Sequence, residues 1–253
     1  MVKSEMQIAV FDSGVGGISV LKELIACMPQ ERYLYFGDSA NAPYGSRTTE
    51  EVKALTLAAA QSLYDRGIKA LVVACNTATA AAIDELRQRY PDIVVIGIEP
   101  ALKMATDRFP TGHVGIMATQ VTLREEKLEH LVERFPGVQV ERIPAPGLVE
   151  LVEQGKAQSA ETEALLRQIL TPYLGKLDAI VLGCTHYPFV RSTVQKILGE
   201  EVTVLDGGAG TARQTRRCLA ERGWLRQGEG AVQMENSSGR RELLELGMRL
   251  LQE

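Results

Sequence analysis

Cysteine is scarce in this chain, with four residues in 253 (Cys27, Cys75, Cys184 and Cys218) and no C-x2-C pair. That spacing excludes a disulfide framework and the common structural zinc sites. Histidine is rarer still, at three residues. Positive charge is not in excess. The net charge is −4 and the sequence pI about 5.6, which argues against a bulk electrostatic nucleic-acid surface. No apolar run is long enough to span a bilayer, and no opening stretch reads as a secretory signal. No low-complexity linker divides the chain. The expectation is a cytoplasmic protein with reduced thiols, no membrane association and no nucleic-acid partner.

Short apolar runs alternate with helix-like stretches from end to end. Strands are expected at Gln7–Phe11, Tyr33–Gly37, Ala70–Ala74, Ile93–Ile98, His113–Met117, Val138–Ile143, Ala179–Gly183 and Val202–Leu205. Helices fill the intervals, among them Gly17–Met28, Thr49–Arg66, Ala78–Arg89, Thr122–Phe135, Leu148–Gln154, Ser159–Leu174 and Gly239–Gln252, with Thr49 and Ser159 as N-cap candidates. Such alternation predicts an α/β fold with mostly parallel sheets. There is also an internal echo. Ile8-Ala9-Val10-Phe11-Asp12-Ser13 is matched by Val114-Gly115-Ile116-Met117-Ala118-Thr119, and the runs ending in Cys75 and Cys184 match each other. Two similar α/β lobes follow, one from residues 1–98 plus 207–253 and the other from 99–206, with the active site expected in the cleft between them.

The two echoed cysteines carry the most chemistry. Each apolar run reads as a buried parallel strand, which puts Cys75 and Cys184 at strand carboxyl ends, where open α/β sheets place ligands. Two thiols supplied by two similar units suit one acid and one base on opposite faces of a substrate. Asn76 and Thr77 follow Cys75 with donors at a helix start, where a thiolate is stabilised. His186, two residues beyond Cys184, is placed to tune that thiol or to donate to a substrate carboxylate. Cys184 with His186 also fits a thiol hydrolase, in which Cys75 would be unnecessary.

Asp12-Ser13-Gly14-Val15-Gly16-Gly17 is a glycine turn between strand and helix, yet it is not a nucleotide loop. Ser19 stands where the dinucleotide fingerprint needs a third Gly, and no Lys-Ser/Thr pair follows. Asn41-Ala42-Pro43-Tyr44-Gly45-Ser46-Arg47 is a turn-rich loop able to present backbone N–H groups. Glu150 and Glu153 share one side of a short helix and, by pattern alone, read as solvated. No Lys reads as a Schiff-base site, and no metal or cofactor is expected.

Four motifs in order, FDSGVGG at Phe11–Gly17, FGDSANAPYGSR at Phe36–Arg47, ACNTATA at Ala74–Ala80 and LGCTHYP at Leu182–Pro188, make the chain similar over its whole length to the glutamate racemases of the aspartate/glutamate racemase superfamily. The resemblance implies two α/β lobes and cofactor-independent interconversion of L- and D-glutamate, supplying D-glutamate for peptidoglycan. It implies Cys75 and Cys184 as the acid/base pair, with Asp12 supporting the first thiol and His186 the second. Glu153 matches the family's helix glutamate better than Glu150. Substrate contacts are implied for Asp12, Ser13, Pro43, Tyr44, Gly45, Asn76, Thr77, Thr119, Thr122, Thr185 and His186. A homodimer is the implied assembly. A racemase of the same superfamily acting on aspartate, and a non-catalytic acid-binding protein, are the remaining alternatives.

Overall fold

The run Ile8-Ala9-Val10-Phe11 shows no polar alternation, as expected of a parallel strand covered on both faces, and all four residues are fully buried. The computed structural model describes residues 2–98, 101–124 and 126–252. Among them, nine strands form two parallel sheets. They are β1 (Gln7–Asp12), β2 (Arg32–Gly37), β3 (Ile68–Val73), β4 (Val94–Gly97), β5 (His113–Ala118), β6 (Gln139–Pro144), β7 (Ala179–Leu182), β8 (Thr203–Asp206) and β9 (Ala231–Asn236). The first sheet runs β4-β3-β1-β2-β9 and the second β6-β5-β7-β8. Every pairing is parallel.

Read from the opposite edge, the second sheet is β8-β7-β5-β6, which repeats β4-β3-β1-β2. The sequence echo is therefore an echo of topology. The chain divides into two compact units, Met1–Glu99 with Gly208–Glu253, and Pro100–Gly207. The expected boundary at residue 99 lies outside the described residues, as does residue 125 within the expected helix Thr122–Phe135.

Period-two burial organises the second unit. Met117, Ile180 and Leu182 enter a core with Leu148, Val152 and Leu166. Ile116, Ala179 and Val181 face the opposite way, against Leu102, Ala105 and Leu123. In the first unit Phe11, Leu71, Val73 and Cys75 pack with Leu63, Ile83 and Leu86. Among the described residues no helix is long and apolar enough to cross a membrane.

Two expectations need correction. β9 was not among the expected strands. It is an edge strand whose first three residues are exposed, so Ala231-Val232-Gln233-Met234-Glu235-Asn236 carries no continuous apolar run to reveal it. Thr48, rather than Thr49, caps the helix Thr49–Tyr64. Its Oγ1 accepts the Glu51 N–H, and the Glu51 carboxylate accepts the Thr48 N–H, a reciprocal capping box. Ser159 does cap the helix Ala160–Leu170, accepting from the Thr162 N–H.

At the entry end of β3 sits a buried ion pair. Lys69 Nζ lies 2.6 Å from Glu31 Oε2, with the side chains 0% and 2% exposed. The ammonium also donates to the carbonyls of Ser4 and Trp224, each at 2.9 Å. Burial pushes the Lys69 ammonium below its usual value, although Glu31 opposes the shift. Such a pair adds little net stability, but removing one partner strands the other charge. Lys69→Met is thus expected to lower the unfolding free energy by about 3 kcal/mol or more. Pairing it with Glu31→Leu should recover part of that loss, measured from urea unfolding curves. A single variant as stable as the parent would contradict this account.

Candidate active site

In the first sheet, β1 and β3 are neighbours from which the chain winds outward in opposite directions, toward β2 on one side and β4 on the other. Ligand crevices open at the carboxyl ends of such a divergent pair. Ser13 follows β1 there and Cys75 follows β3. The Ala74 N–H donates to Phe11 O at 2.8 Å, closing the ladder one residue before the thiol. Cys75 then takes extended backbone angles (φ −69°, ψ 122°) as N-cap of the helix Asn76–Arg89, and its Sγ accepts the Ala78 N–H at 3.4 Å. The Cys75 thiol also donates to Ser13 Oγ at 3.6 Å. A sulfur capping a helix N-terminus lies where negative charge is favoured.

Asp12 is fully buried beneath this turn. Its Oδ1 accepts the Gly14 N–H at 2.9 Å. A Cβ at Gly17 would come within 2.5 Å of the Asp12 Cβ, so glycine lets the turn close over the carboxylate. Tyr35, not anticipated, donates its hydroxyl to Gly14 O at 2.7 Å and braces the turn from below.

Tyr44 is 1% exposed. Its ring tilts against Phe11 and its hydroxyl donates to Asp38 Oδ2 at 2.7 Å. Burial first, and Asp38 second, hold that phenol far above its usual pKa, so it stays a neutral donor. The Tyr44 side chain thus anchors the loop to the core, and backbone is what the loop can offer a ligand. Pro43 is exposed and Gly45 half-buried beside it. Asp38 was also not anticipated. Its one legible signal was a carboxylate just past a strand end, the same position that drew attention to Asp12.

The second unit repeats the plan with different supports. The Gly183 N–H donates to Met117 O at 2.8 Å, again one residue before a thiol. Cys184 Sγ lies 3.7 Å from His186 Nδ1, and His186 Nε2 lies 2.8 Å from Glu153 Oε1. The structure thus brings Glu153, rather than Glu150, to the imidazole. Burial opposes charge on His186, but hydrogen bonds to Cys184 and Glu153 outweigh it and hold the ring well above its usual pKa of 6.5. Thr119 follows β5 as Ser13 follows β1, and its Oγ1 lies 3.0 Å from Thr122 Oγ1. Thr77 and Thr185, which follow Cys75 and Cys184 in sequence, are each buried. Among the described residues, no group of three or more His, Cys, Asp or Glu is arranged to hold a metal ion.

Chemically, each unit offers a thiol at a strand end beside hydroxyl groups. One thiol sits at a helix N-terminus, and the other lies 3.7 Å from an imidazole backed by a carboxylate. Asn76 Oδ1 is buried and has no hydrogen-bond partner among the described residues, an acceptor suited to an ammonium.

Residues 17–215 match the family model of the Asp/Glu/hydantoin racemases. A glutamate racemase from Clostridium botulinum (strain Alaska E43 / Type E3) is 44% identical over 256 residues, covering 100% of this chain and 99% of its own length. Among solved structures, glutamate racemase isoform RacE1 from Bacillus anthracis superposes with a TM-score of 0.89 at 33% identity, covering 99% of this chain and 95% of that one. Glutamate racemase from Francisella tularensis, solved in complex with D-glutamate, gives 0.86 at 27% identity over 99% and 95%.

The imidazole has a consequence for stability. In the unfolded chain a histidine titrates near 6.5, whereas folded His186 keeps its proton to higher pH. The stabilisation from a raised pKa is complete below the unfolded value and is lost as pH climbs through the folded one. Stability is therefore expected to decline as pH rises above 6.5 toward the folded value. Glu153→Gln removes the charge facing the ring and should flatten this decline. Urea midpoints at about pH 6 and about pH 8.5 for both proteins make the comparison, and equal declines would rule the account out.

Proposed function

The chain belongs to the Asp/Glu/hydantoin racemase family, and from that premise we propose that it interconverts L- and D-glutamate with Cys75 and Cys184 as paired acid and base. Supplying D-glutamate for peptidoglycan is the role that follows from this activity. The observation that carries the mechanism is the repeated placement of a thiol two residues past a central strand, in two units of the same strand order.

Racemisation requires the Cα–H bond to break and re-form on the opposite face. One thiolate takes the α-proton, and the electron pair left on Cα is delocalised toward the carboxylate. The other thiol then gives its proton to the opposite face, leaving the enantiomer and the two protonation states exchanged. The reverse reaction swaps the roles. Free thiols titrate near 8.5, so both forms are accessible at working pH. In this reading Asp12 and Ser13 support the Cys75 sulfur, and His186, oriented by Glu153, exchanges a proton with Cys184. Asn76 Oδ1 takes the substrate ammonium. Preorganised donors from Thr77, Thr119, Thr122, Thr185 and the Pro43–Gly45 backbone meet the carboxylates and the charge that develops in the transition state. No cofactor takes part. The same reading extends to a cytoplasmic enzyme acting as a homodimer.

The Cys184–His186–Glu153 chain also has the nucleophile–base–orienter form of a thiol hydrolase. The two readings separate at Cys75, which only the racemase needs. Cys75→Ala and Cys184→Ala are each expected to lower racemisation by at least about 10²-fold. Near-normal activity in either variant would refute the paired-thiol mechanism.

A second experiment incubates the protein with L-glutamate in D₂O without added cofactor, followed by circular dichroism and proton NMR. D-Glutamate carrying deuterium at Cα, while the remaining L-glutamate is still undeuterated, is the expected early result. The absence of both optical change and exchange would exclude glutamate as substrate.

A further inference from the structure

Among the described residues, β9 has no counterpart in the second sheet. Four strands follow the same order in both units, and β9 alone extends the first sheet beyond β2. Its register pairs Phe36 with Glu235 and Gly37 with Asn236, so β9 and β2 end level with each other. β9 therefore delivers the turn at 236–239 to the sheet end from which the Asp38–Arg47 loop departs.

That turn grips the start of the loop. Asn236 Nδ2 donates to Ser39 Oγ at 2.8 Å. The Ser237 N–H donates to Gly37 O at 3.0 Å. Ser237 Oγ–H donates to Asp38 Oδ1 at 2.7 Å, and the same oxygen accepts the Ala40 N–H at 2.9 Å. The turn is itself braced, since Asn236 Oδ1 accepts from the Ser238 N–H at 3.0 Å and the Ser238 hydroxyl at 2.6 Å. Asp38 is 5% exposed. Besides Ser237, its carboxylate accepts Asn41 Nδ2 at 3.1 and 3.0 Å and the Tyr44 hydroxyl at 2.7 Å. One buried carboxylate thus joins the β9 turn to both the beginning and the middle of the loop. Arg47 Nε, donating to Asn41 O at 2.8 Å, closes the far end.

We infer that Asp38 and Ser237 form a clasp that positions the loop carrying Pro43, Tyr44 and Gly45, so that the β9 turn sets substrate affinity without touching substrate. This rests on the reading of that loop as a substrate wall. A loop already held in its binding shape loses less conformational freedom when substrate arrives, and loosening it weakens binding. The thiols are carried by other strands, β3 and β7, so loosening the loop leaves the proton transfers themselves in place.

Ser237→Ala at this exposed position tests the clasp, with steady-state racemisation of L-glutamate as the readout. KM is expected to rise by about three- to tenfold, the scale of one hydrogen bond to a carboxylate in a partly solvated setting. The accompanying change in kcat should stay within about twofold, and Ser237→Thr, which keeps the hydroxyl, should restore KM. Asp38→Asn should move KM in the same direction and further. An unchanged KM in Ser237→Ala, or a fall in kcat alone, overturns the clasp. Gly45→Ala, within the loop itself, separates the two levels of the argument. If it raises KM while Ser237→Ala does not, the clasp fails and the loop keeps its place at the substrate. If neither moves KM, the loop is not a substrate wall and the clasp falls with it.

Discussion

Two backbone hydrogen bonds set where the two thiols leave their sheets. The Ala74 N–H to Phe11 O and the Gly183 N–H to Met117 O are the last rungs between a central strand and its neighbour in each unit. One residue later the chain leaves the ladder and a thiol emerges. The rung requires a residue small enough for the close approach of the adjoining strand. At Gly183 a Cβ would already stand 3.0 Å from the Ala118 Cβ. Shifting either rung by one residue would send the thiol to the opposite face of its sheet, because strand side chains alternate. The small residue before each cysteine therefore helps to set where the thiol emerges, although it carries no chemistry.

The duplicated frame holds unlike supports. Asp12 lies at the end of β1, and the matching position at the end of β5 is Ala118. Two residues past the first thiol stands Thr77, and two past the second stands His186. Cys75 opens an α-helix and receives an N–H from its first turn, whereas Cys184 leads into the short 3-10 turn Tyr187–Val190. Where the helix N-terminus is missing, an imidazole backed by Glu153 stands beside the sulfur. In the proposed two-base reaction the two sulfurs exchange proton roles from these unlike settings. A strictly symmetric pair would give both sulfurs the same preference and offer no distinct resting arrangement.

Most of this was legible because it rests on local pattern. Uninterrupted apolar runs announced the central strands, which are covered on both faces and have no room for polar alternation, whereas the edge strand β6, Gln139-Val140-Glu141-Arg142-Ile143-Pro144, is polar and largely exposed. The cysteines were legible because two runs ended alike. What escaped was set by contacts distant in sequence. β9 is exposed along its first half, so its membership in the sheet depends on the free edge of β2 rather than on its own hydrophobicity. Asp38 meets Ser237 across a separation of 199 residues, which no local pattern reveals. Glu153 and Glu150 are equivalent by helical spacing, and only the position of His186 distinguishes them. The family resemblance pointed to Glu153 where periodicity alone left both as surface residues.

Polar groups at the two ends of the first sheet are treated differently, and the contrast separates structure from binding. At the entry end, Lys69 is wholly buried but fully met by Glu31 and two carbonyls. Buried charge of that kind is tolerated because its hydrogen-bonding capacity is used up within the fold. At the exit end, Asn76 is nearly as buried, yet its Oδ1 meets no donor among the described residues. A buried acceptor left unmet is destabilising, and a donor supplied from outside the fold offsets that cost. In the proposed reaction an α-ammonium group is such a donor, and it arrives with the α-carbon that Cys75 is to reach. The same turn places the Cys75 sulfur and the Asn76 amide, so on the proposed function one strand-to-helix junction serves both recognition and proton transfer.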